Sequence, residues 1–227
     1  MKAVILAGGY GKRLKPLTDE RPKPMIEVRN APIIEWQIRW LKSFGVSEII
    51  ICVGYMKERI IEYIGSGNKL GVKVGYAVED DPLGTGGALK NAQSLLSGQS
   101  GFFLVNGDIL TELDPNKLHD GPSQGIALVQ LRSPFGVVEV DGQERVTGFV
   151  EKPQIPDRWI NAGVYYFTQK VFDYLPDSGN IEVTALPALA KNGELRAVKY
   201  DHIFWRSIDS HKDIEEASRE LPSAKIA

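Results

Sequence analysis

The chain has 227 residues, 43% hydrophobic and 25% charged, enough apolar material for a sizeable core in an ordinary globular protein. Lys and Arg number 27 against 29 Asp and Glu, a formal net charge of −2. No overall field draws this chain to nucleic acid or an anionic membrane, so any anion it binds must be held by a local site. Cys52 is the only cysteine, which excludes an internal disulfide and fits a reducing compartment. It sits in the apolar run Ile49-Ile50-Ile51-Cys52-Val53 and reads as a small core hydrophobe. The apolar start, residues 3–7, is too short for a signal peptide core or a membrane span, and no later run approaches that length. The expected location is cytoplasmic.

In chain order, apolar runs predict strands at 2–7, 48–53, 72–77 and 102–105. Helix-period segments lie between them at 33–43, 57–63 and 87–96, with Ile34, Ile38 and Leu41 spaced for one buried face. This alternation predicts βαβ units and a parallel sheet covered on both faces, with ligands bound at the carboxyl ends of the strands. After about residue 125 the texture becomes β-rich, at 126–131, 136–140, 145–151 and 162–167, with Asp141-Gly142 as a hairpin turn. Helical periodicity returns at 169–175, 183–191 and 211–220. No linker or repeat separates the halves. We therefore expect one α/β domain over 1–227: residues 1–125 form one half, and residues 126–220 fold over its rim.

The densest chemical signal is Leu6-Ala7-Gly8-Gly9-Tyr10-Gly11-Lys12-Arg13-Leu14, continuing through Pro16-Leu17-Thr18 to Arg21-Pro22-Lys23-Pro24. Glycines after a buried strand let the backbone approach a phosphate closely, with N–H groups aimed at it. Arg13 and Lys23 add fixed positive charge, and the flanking prolines stiffen the loop around Lys23. A Rossmann fingerprint would need glycine where Leu14 stands, and a Walker A loop would need Ser or Thr at Arg13. Pro82-Leu83-Gly84-Thr85-Gly86-Gly87 is a glycine-rich bend running into a helix start, where N–H groups are free for an acceptor. Asn106-Gly107-Asp108 puts a carboxylate at a buried strand's exit. His119, His202 and His211 fall outside these motifs.

Gly-Gly-X-Gly-X-Arg-Leu-X-Pro-Leu-Thr followed by Pro-Lys-Pro resembles the opening signature of the sugar-1-phosphate nucleotidyltransferases, which include mannose-1-phosphate and heptose-1-phosphate guanylyltransferases. The resemblance runs from Met1 to about Ala217. It implies a Rossmann-like, mostly parallel sheet flanked by helices, with a β-rich sugar-binding second half. Because the chain ends soon after the 211–220 helix, no C-terminal β-helix is expected. By this resemblance Leu6, Ala7, Gly8, Gly9, Gly11, Lys12, Arg13 and Asn106 serve the nucleotide, and Gly54, Pro82, Gly84, Thr85 and Gly86 hold its base. Arg13 and Lys23 act on the reacting phosphates, and Asp108 is a Mg²⁺ ligand. Gly136, Glu151, Lys152, Asn161, Gly163 and Glu182 fall in segments that resemble the sugar-phosphate side.

One position departs from the pattern. Trp205-Arg206-Ser207-Ile208-Asp209 has Ser207 where the family places a second metal-binding Asp. Residues 207 and 209 share a face of an extended strand, so Asp209 is the expected second ligand. Two other readings stay open: Ser207 completes the metal site, or Asp209 caps the helix that begins near His211. The implied partners are a nucleoside triphosphate, with GTP favoured by the wording of 82–89, and a sugar 1-phosphate. Nucleic acid and membranes are not expected, and self-association into a homo-oligomer is left open. Alternatives are a uridylyl- or thymidylyltransferase acting on glucose 1-phosphate, and a catalytically silent nucleotide-sugar sensor. Loss of Arg13, Lys23 or Asp108 would favour the sensor, and all three are present.

Overall fold

Residues 49–53 and 102–105 carry no polar interruption beyond Cys52, and such runs form strands buried on both faces. In the computed structural model, which describes residues 1–121 and 123–221, they lie near the middle of a seven-stranded sheet. The strands are β1 (Lys2–Leu6), β2 (Glu27–Val28), β3 (Ala31–Pro32), β4 (Glu48–Val53), β5 (Lys73–Val78), β6 (Gly101–Asn106), β7 (Ile109–Thr111), β8 (Gln124–Arg132), β9 (Val137–Val140), β10 (Val146–Val150), β11 (Gln154–Thr168), β12 (Leu195–Tyr200) and β13 (Trp205–Ser207). The helices are α1 (Leu17–Glu20), α2 (Ile33–Ser43), α3 (Lys57–Ile64), α4 (Gly84–Asn91), α5 (Ala185–Lys191) and α6 (His211–Glu220).

The sheet order is β12-β8-β11-β6-β1-β4-β5. β1 runs parallel to β4 and β6, and β4 to β5, as βαβ connections require. The second half joins through β11, antiparallel to both β6 and β8, while β12 lies parallel to β8. Helices cover both faces. Ile34, Ile38 and Leu41 of α2 and Ile60 and Ile64 of α3 pack with Ile5, Ile49 and Ile51 on one side. Ala88 and Leu89 of α4 and Leu186 and Leu189 of α5 pack with Val4, Ile50 and Cys52 on the other. A third cluster joins Leu14, Ile26, Leu110, Ile208 and Ala217, and so ties the glycine loop, β7 and α6 together.

Several elements differ from the sequence expectation. The helix expected at 87–96 begins earlier, at Gly84, and ends at Asn91, with a 3₁₀ turn at Gln93–Leu96. The segments at 169–175 and the start of 183–191 are 3₁₀ turns, Gln169–Tyr174 and Ile181–Val183. Short apolar periodicity does not separate 3₁₀ from α geometry. The strand expected at 162–167 is the end of the fifteen-residue β11. The hairpin at 141–145 places its left-handed residue at Glu144 (φ 61°), not Gly142, because the Asp141 carboxylate organises the loop by accepting from the N–H groups of Gln143 and Arg145. Residues 222–227 of the expected domain lie outside the described residues.

Candidate active site

A cavity of about 410 Å³ opens over the carboxyl ends of β1 and β6. Leu6, Ala7, Gly8, Gly9, Gly11, Lys12 and Arg13 line it, together with Lys23, Pro82, Gly84, Thr85, Asn106, Asp108 and Asp209. Glycine is required at Gly11 and closely fitted at Gly8. Gly11 is left-handed (φ 61°), and a Cβ there would lie 2.9 Å from both Lys23 Cβ and Thr18 Cγ2. A Cβ on Gly8 would stand 2.1 Å from a Glu79 carboxylate oxygen. The buried Leu14 anchors the short turn that presents Arg13, and the Thr18 hydroxyl donates to the Gly11 carbonyl at 3.1 Å.

The charged centre is built from four elements. Lys23 Nζ donates to Asp108 Oδ2 at 2.7 Å and to Asp209 Oδ1 at 2.8 Å. Arg13 Nη2 donates to the same Asp209 oxygen at 2.7 Å, and Ser207 Oγ donates to Asp209 Oδ2 at 2.8 Å. β13 pairs with β7, setting Ser207 opposite Ile109, and the Ile208 N–H donates to the Asp108 carbonyl at 2.9 Å. These bonds hold the 207–209 segment against the turn that carries Asp108. Gln37, itself buried, donates from Nε2 to the carbonyls of Asn106 and Ile109 and fixes that turn from below. Half-burial pushes the Asp209 carboxyl upward, but Lys23, Ser207 and Arg13 together outweigh it and hold the carboxyl below its ordinary range.

The capping alternative for Asp209 does not stand. Ser210 caps α6, its Oγ accepting from the Asp213 N–H at 3.3 Å. The Asp213 carboxylate in turn accepts from Ser210 Oγ and the Asp209 N–H, a reciprocal capping box that leaves the Asp209 side chain free to face Lys23.

Some expected residues sit elsewhere. Gly54 does not line the cavity: it backs the loop, where a Cβ would meet Glu79 and, at 3.2 Å, the Gly8 carbonyl. Gly86 lies in the first turn of α4, donating its N–H to the Gly179 carbonyl at 2.9 Å, so it too is a packing position. Asn161 and Gly163 do not line the cavity, although Gly163 packs against Asn106, which does. Asn161 bonds the Tyr165 hydroxyl and the Gly163 N–H, and a Cβ on Gly163 (φ 70°) would lie 3.1 Å from Asn106 Nδ2. Glu182 accepts from the Thr85 hydroxyl at 2.7 Å at the cavity's edge.

Gly136 and Glu151 line neither this cavity nor the one that holds Lys152. They lie on the arm of β9 and β10, which carries exposed Val140, Val146, Phe149 and Val150, because its two strands pair only with each other. Lys152, left-handed at φ 47°, turns away from the arm into a second cavity of about 410 Å³. Ser207 borders that cavity, and through its bond to Asp209 connects it with the first.

Two residues lining the first cavity escaped the sequence reading. Glu79 follows β5, its carboxylate accepting from the Leu83 N–H at 3.3 Å, and burial raises its pKa above the ordinary carboxylate value. Asn180 accepts from the Thr85 N–H at 3.3 Å. An acidic residue directly after a strand was a signal for Glu79, of the same kind that marked Asp108. Nothing local marked Asn180.

The family model for nucleotidyl transferases matches residues 2–224. The chain belongs to the nucleotidyl transferase family. The mannose-1-phosphate guanylyltransferase catalytic subunit beta of Dictyostelium discoideum is 38% identical over 226 residues, covering 94% of this chain and 62% of that protein. The chain thus spans less than two thirds of the length of this curated relative. The crystal structure of HddC from Yersinia pseudotuberculosis has a TM-score of 0.77 at 31% identity, covering 97% of this chain and 99% of that one. The same protein complexed with GMP-PN gives a TM-score of 0.75 at 30% identity, with the same coverage. This nucleotidyl transferase has no helix, among its described residues, long and apolar enough to cross a membrane.

Proposed function

We propose that this nucleotidyl transferase joins a sugar 1-phosphate to a nucleoside triphosphate, with GTP preferred, and releases pyrophosphate. The observation that carries the reading is the convergence of Asp108, Asp209, Lys23 and Arg13 at the mouth of a glycine loop. A phosphate oxygen of the sugar phosphate bonds to the α-phosphorus as the bond from that phosphorus to the β-bridging oxygen breaks. The electron pair leaves with pyrophosphate, so no protein nucleophile is needed. The backbone of 8–13 wraps the triphosphate, while Arg13 and Lys23 align the phosphates and oppose their growing charge. Asn161, Gly163 and Glu182 face the sugar, and Lys152 takes its phosphate from the second cavity.

Asp108 and Asp209 suit Mg²⁺. They already share one cation, Lys23, and two carboxylates suit an ion that draws its remaining oxygens from phosphate and water. Bound there, Mg²⁺ would neutralise negative charge on the phosphoryl group under attack.

Two observations support guanine. The similar HddC structure holds GMP-PN, and Glu79 brings a carboxylate to the same cavity as the glycine loop. A carboxylate pairs with the adjacent N1–H and N2–H₂ donors of guanine. It is repelled by the two carbonyls that flank the single N3–H of uracil or thymine. A cytoplasmic setting accompanies this reading, since both substrates are intracellular metabolites. The test is pyrophosphate release from GTP, UTP and dTTP, each with mannose, heptose and glucose 1-phosphates. Release with GTP and one of these sugar phosphates is expected, and no release from any pair would reject the reading.

A further inference from the structure

The second cavity lies between β8, the 200–207 stretch and the first turns of α6. Most of its carboxylates are engaged. Arg206 takes Glu216 at 3.2 Å and Glu220 at 2.6 Å, and Asp213 is spent on the α6 cap. Among the described residues, the acidic partners of Lys152 and Lys212 are distant, Glu151 at 3.9 Å and Glu216 at 3.8 Å, and Glu216 is shared with Arg206. Yet both side chains enter the same cavity, and the proximity of Lys212 lowers the pKa of Lys152. Two like charges brought this close repel unless a multivalent anion bridges them.

Both lysines are held where they stand. Arg132 Nε donates to the Lys152 carbonyl at 3.3 Å, supporting the left-handed turn that aims this side chain inward. Lys212 lies within the capping box at 210–213 that fixes the start of α6. Ser207 lines the same cavity and bonds Asp209, so an anion between the lysines would lie just across Ser207 from the Lys23–Asp108–Asp209 cluster.

We infer that Lys212 is the second cation of the acceptor site, gripping with Lys152 the phosphomonoester dianion of the incoming sugar phosphate. This rests on the nucleotidyltransferase reading above. A dianion matches two ammonium groups, and the neutral sugar does not.

The test compares wild type with Lys212→Gln, Lys212→Arg and Lys152→Gln. Inorganic phosphate is titrated into ligand-free protein by calorimetry, and KM is measured for mannose 1-phosphate and for GTP. Lys212→Gln should weaken phosphate binding and raise KM for mannose 1-phosphate by about tenfold or more, well beyond its effect on GTP. Lys212→Arg should recover most of the loss. Adding Lys212→Gln to Lys152→Gln should cost less than the two single losses multiplied, because one bridged anion is at stake. Phosphate binding unchanged in a folded Lys212→Gln protein overturns the inference, whatever the assay of turnover gives. If wild type turns over no sugar phosphate but its phosphate binding depends on Lys212, the anion site stands and only the assigned reaction falls.

Discussion

The Ser207 hydroxyl donates to Asp209 Oδ2 at 2.8 Å, while the other oxygen of that carboxylate takes Lys23 at 2.8 Å and Arg13 at 2.7 Å. Serine and aspartate therefore act as one unit, in which Asp209 carries the charge and Ser207 orients it. Asp209→Ala should cut turnover by about tenfold or more and move the Mg²⁺ titration to higher concentration. Ser207→Ala should have a smaller effect in the same direction. Ser210→Ala, which removes the α6 cap, should cost about 1 kcal/mol of stability and leave the Mg²⁺ titration in place. Activity against Mg²⁺ concentration, with thermal melts of all three variants, checks the set.

Asp108 is held by Lys23 and sits on the turn that Gln37 fixes. Asp108→Asn keeps the shape and removes the charge, so the melting temperature should change little while kcat falls by roughly a hundredfold or more. Near-normal turnover at saturating Mg²⁺ would remove Asp108 from the metal site.

Glu79 determines the base if its carboxylate meets guanine. Glu79→Gln exchanges a pure acceptor for one donor and one acceptor, the pattern that matches N3–H and a carbonyl of uracil. The ratio of kcat/KM for GTP over UTP should fall by about tenfold or more. An unchanged ratio in a protein of normal stability would mean that the base is read elsewhere.

Burial pushes the Cys52 thiol from an ordinary 9.0 up to about 12. A raised folded pKa means the folded state holds its proton longer than the unfolded state. The contribution to stability is thus intact below 9.0 and declines as pH rises from there toward 12. A thiol-specific chromogenic reagent at about pH 8 should leave the native protein unmodified and label one thiol in denaturant. Over the alkaline range the wild type should lose more stability than Cys52→Ala.

The central strands and the glycine loop were legible because their signals are local: unbroken aliphatic runs, and glycines spaced for close backbone approach. Asp108 was legible for the same reason, at the exit of β6. β12 was not, since Arg196 and Lys199 break its alternation and its burial depends on β8. Gly54 and Gly86 read as ligand positions, yet each makes room for neighbouring protein, Glu79 for one and Gly179 for the other. Glu79 and Lys212 gain their places from the meeting of segments far apart in sequence. Whether Asp209 caps α6 was decided only by the folded chain, in which the Ser210 hydroxyl supplies the cap.

Lys23 bridges Asp108 and Asp209 with its side chain only 14% exposed, while the two carboxylates are 26% and 29% exposed. An ammonium in this position has two roles that can be separated. In the ligand-free protein it neutralises two adjacent acidic groups and competes with a divalent ion for the same oxygens. In the proposed reaction it would also oppose charge on the reacting phosphates. Lys23→Met keeps much of the apolar stem and removes the charge, so the two roles should respond with opposite signs. kcat should fall by roughly a hundredfold or more, as when one strong electrostatic group is lost. Metal affinity in the absence of nucleotide, read from Mn²⁺ binding by electron paramagnetic resonance, should rise, because the competing cation is gone and Asp108 loses the ammonium that pairs with it. Arg13→Ala should lower kcat and strengthen Mn²⁺ binding far less, since among the described residues Arg13 pairs with Asp209 and not Asp108, and its side chain is 75% exposed. Weaker Mn²⁺ binding in Lys23→Met would mean that Lys23 organises the two carboxylates for the ion rather than standing in its place.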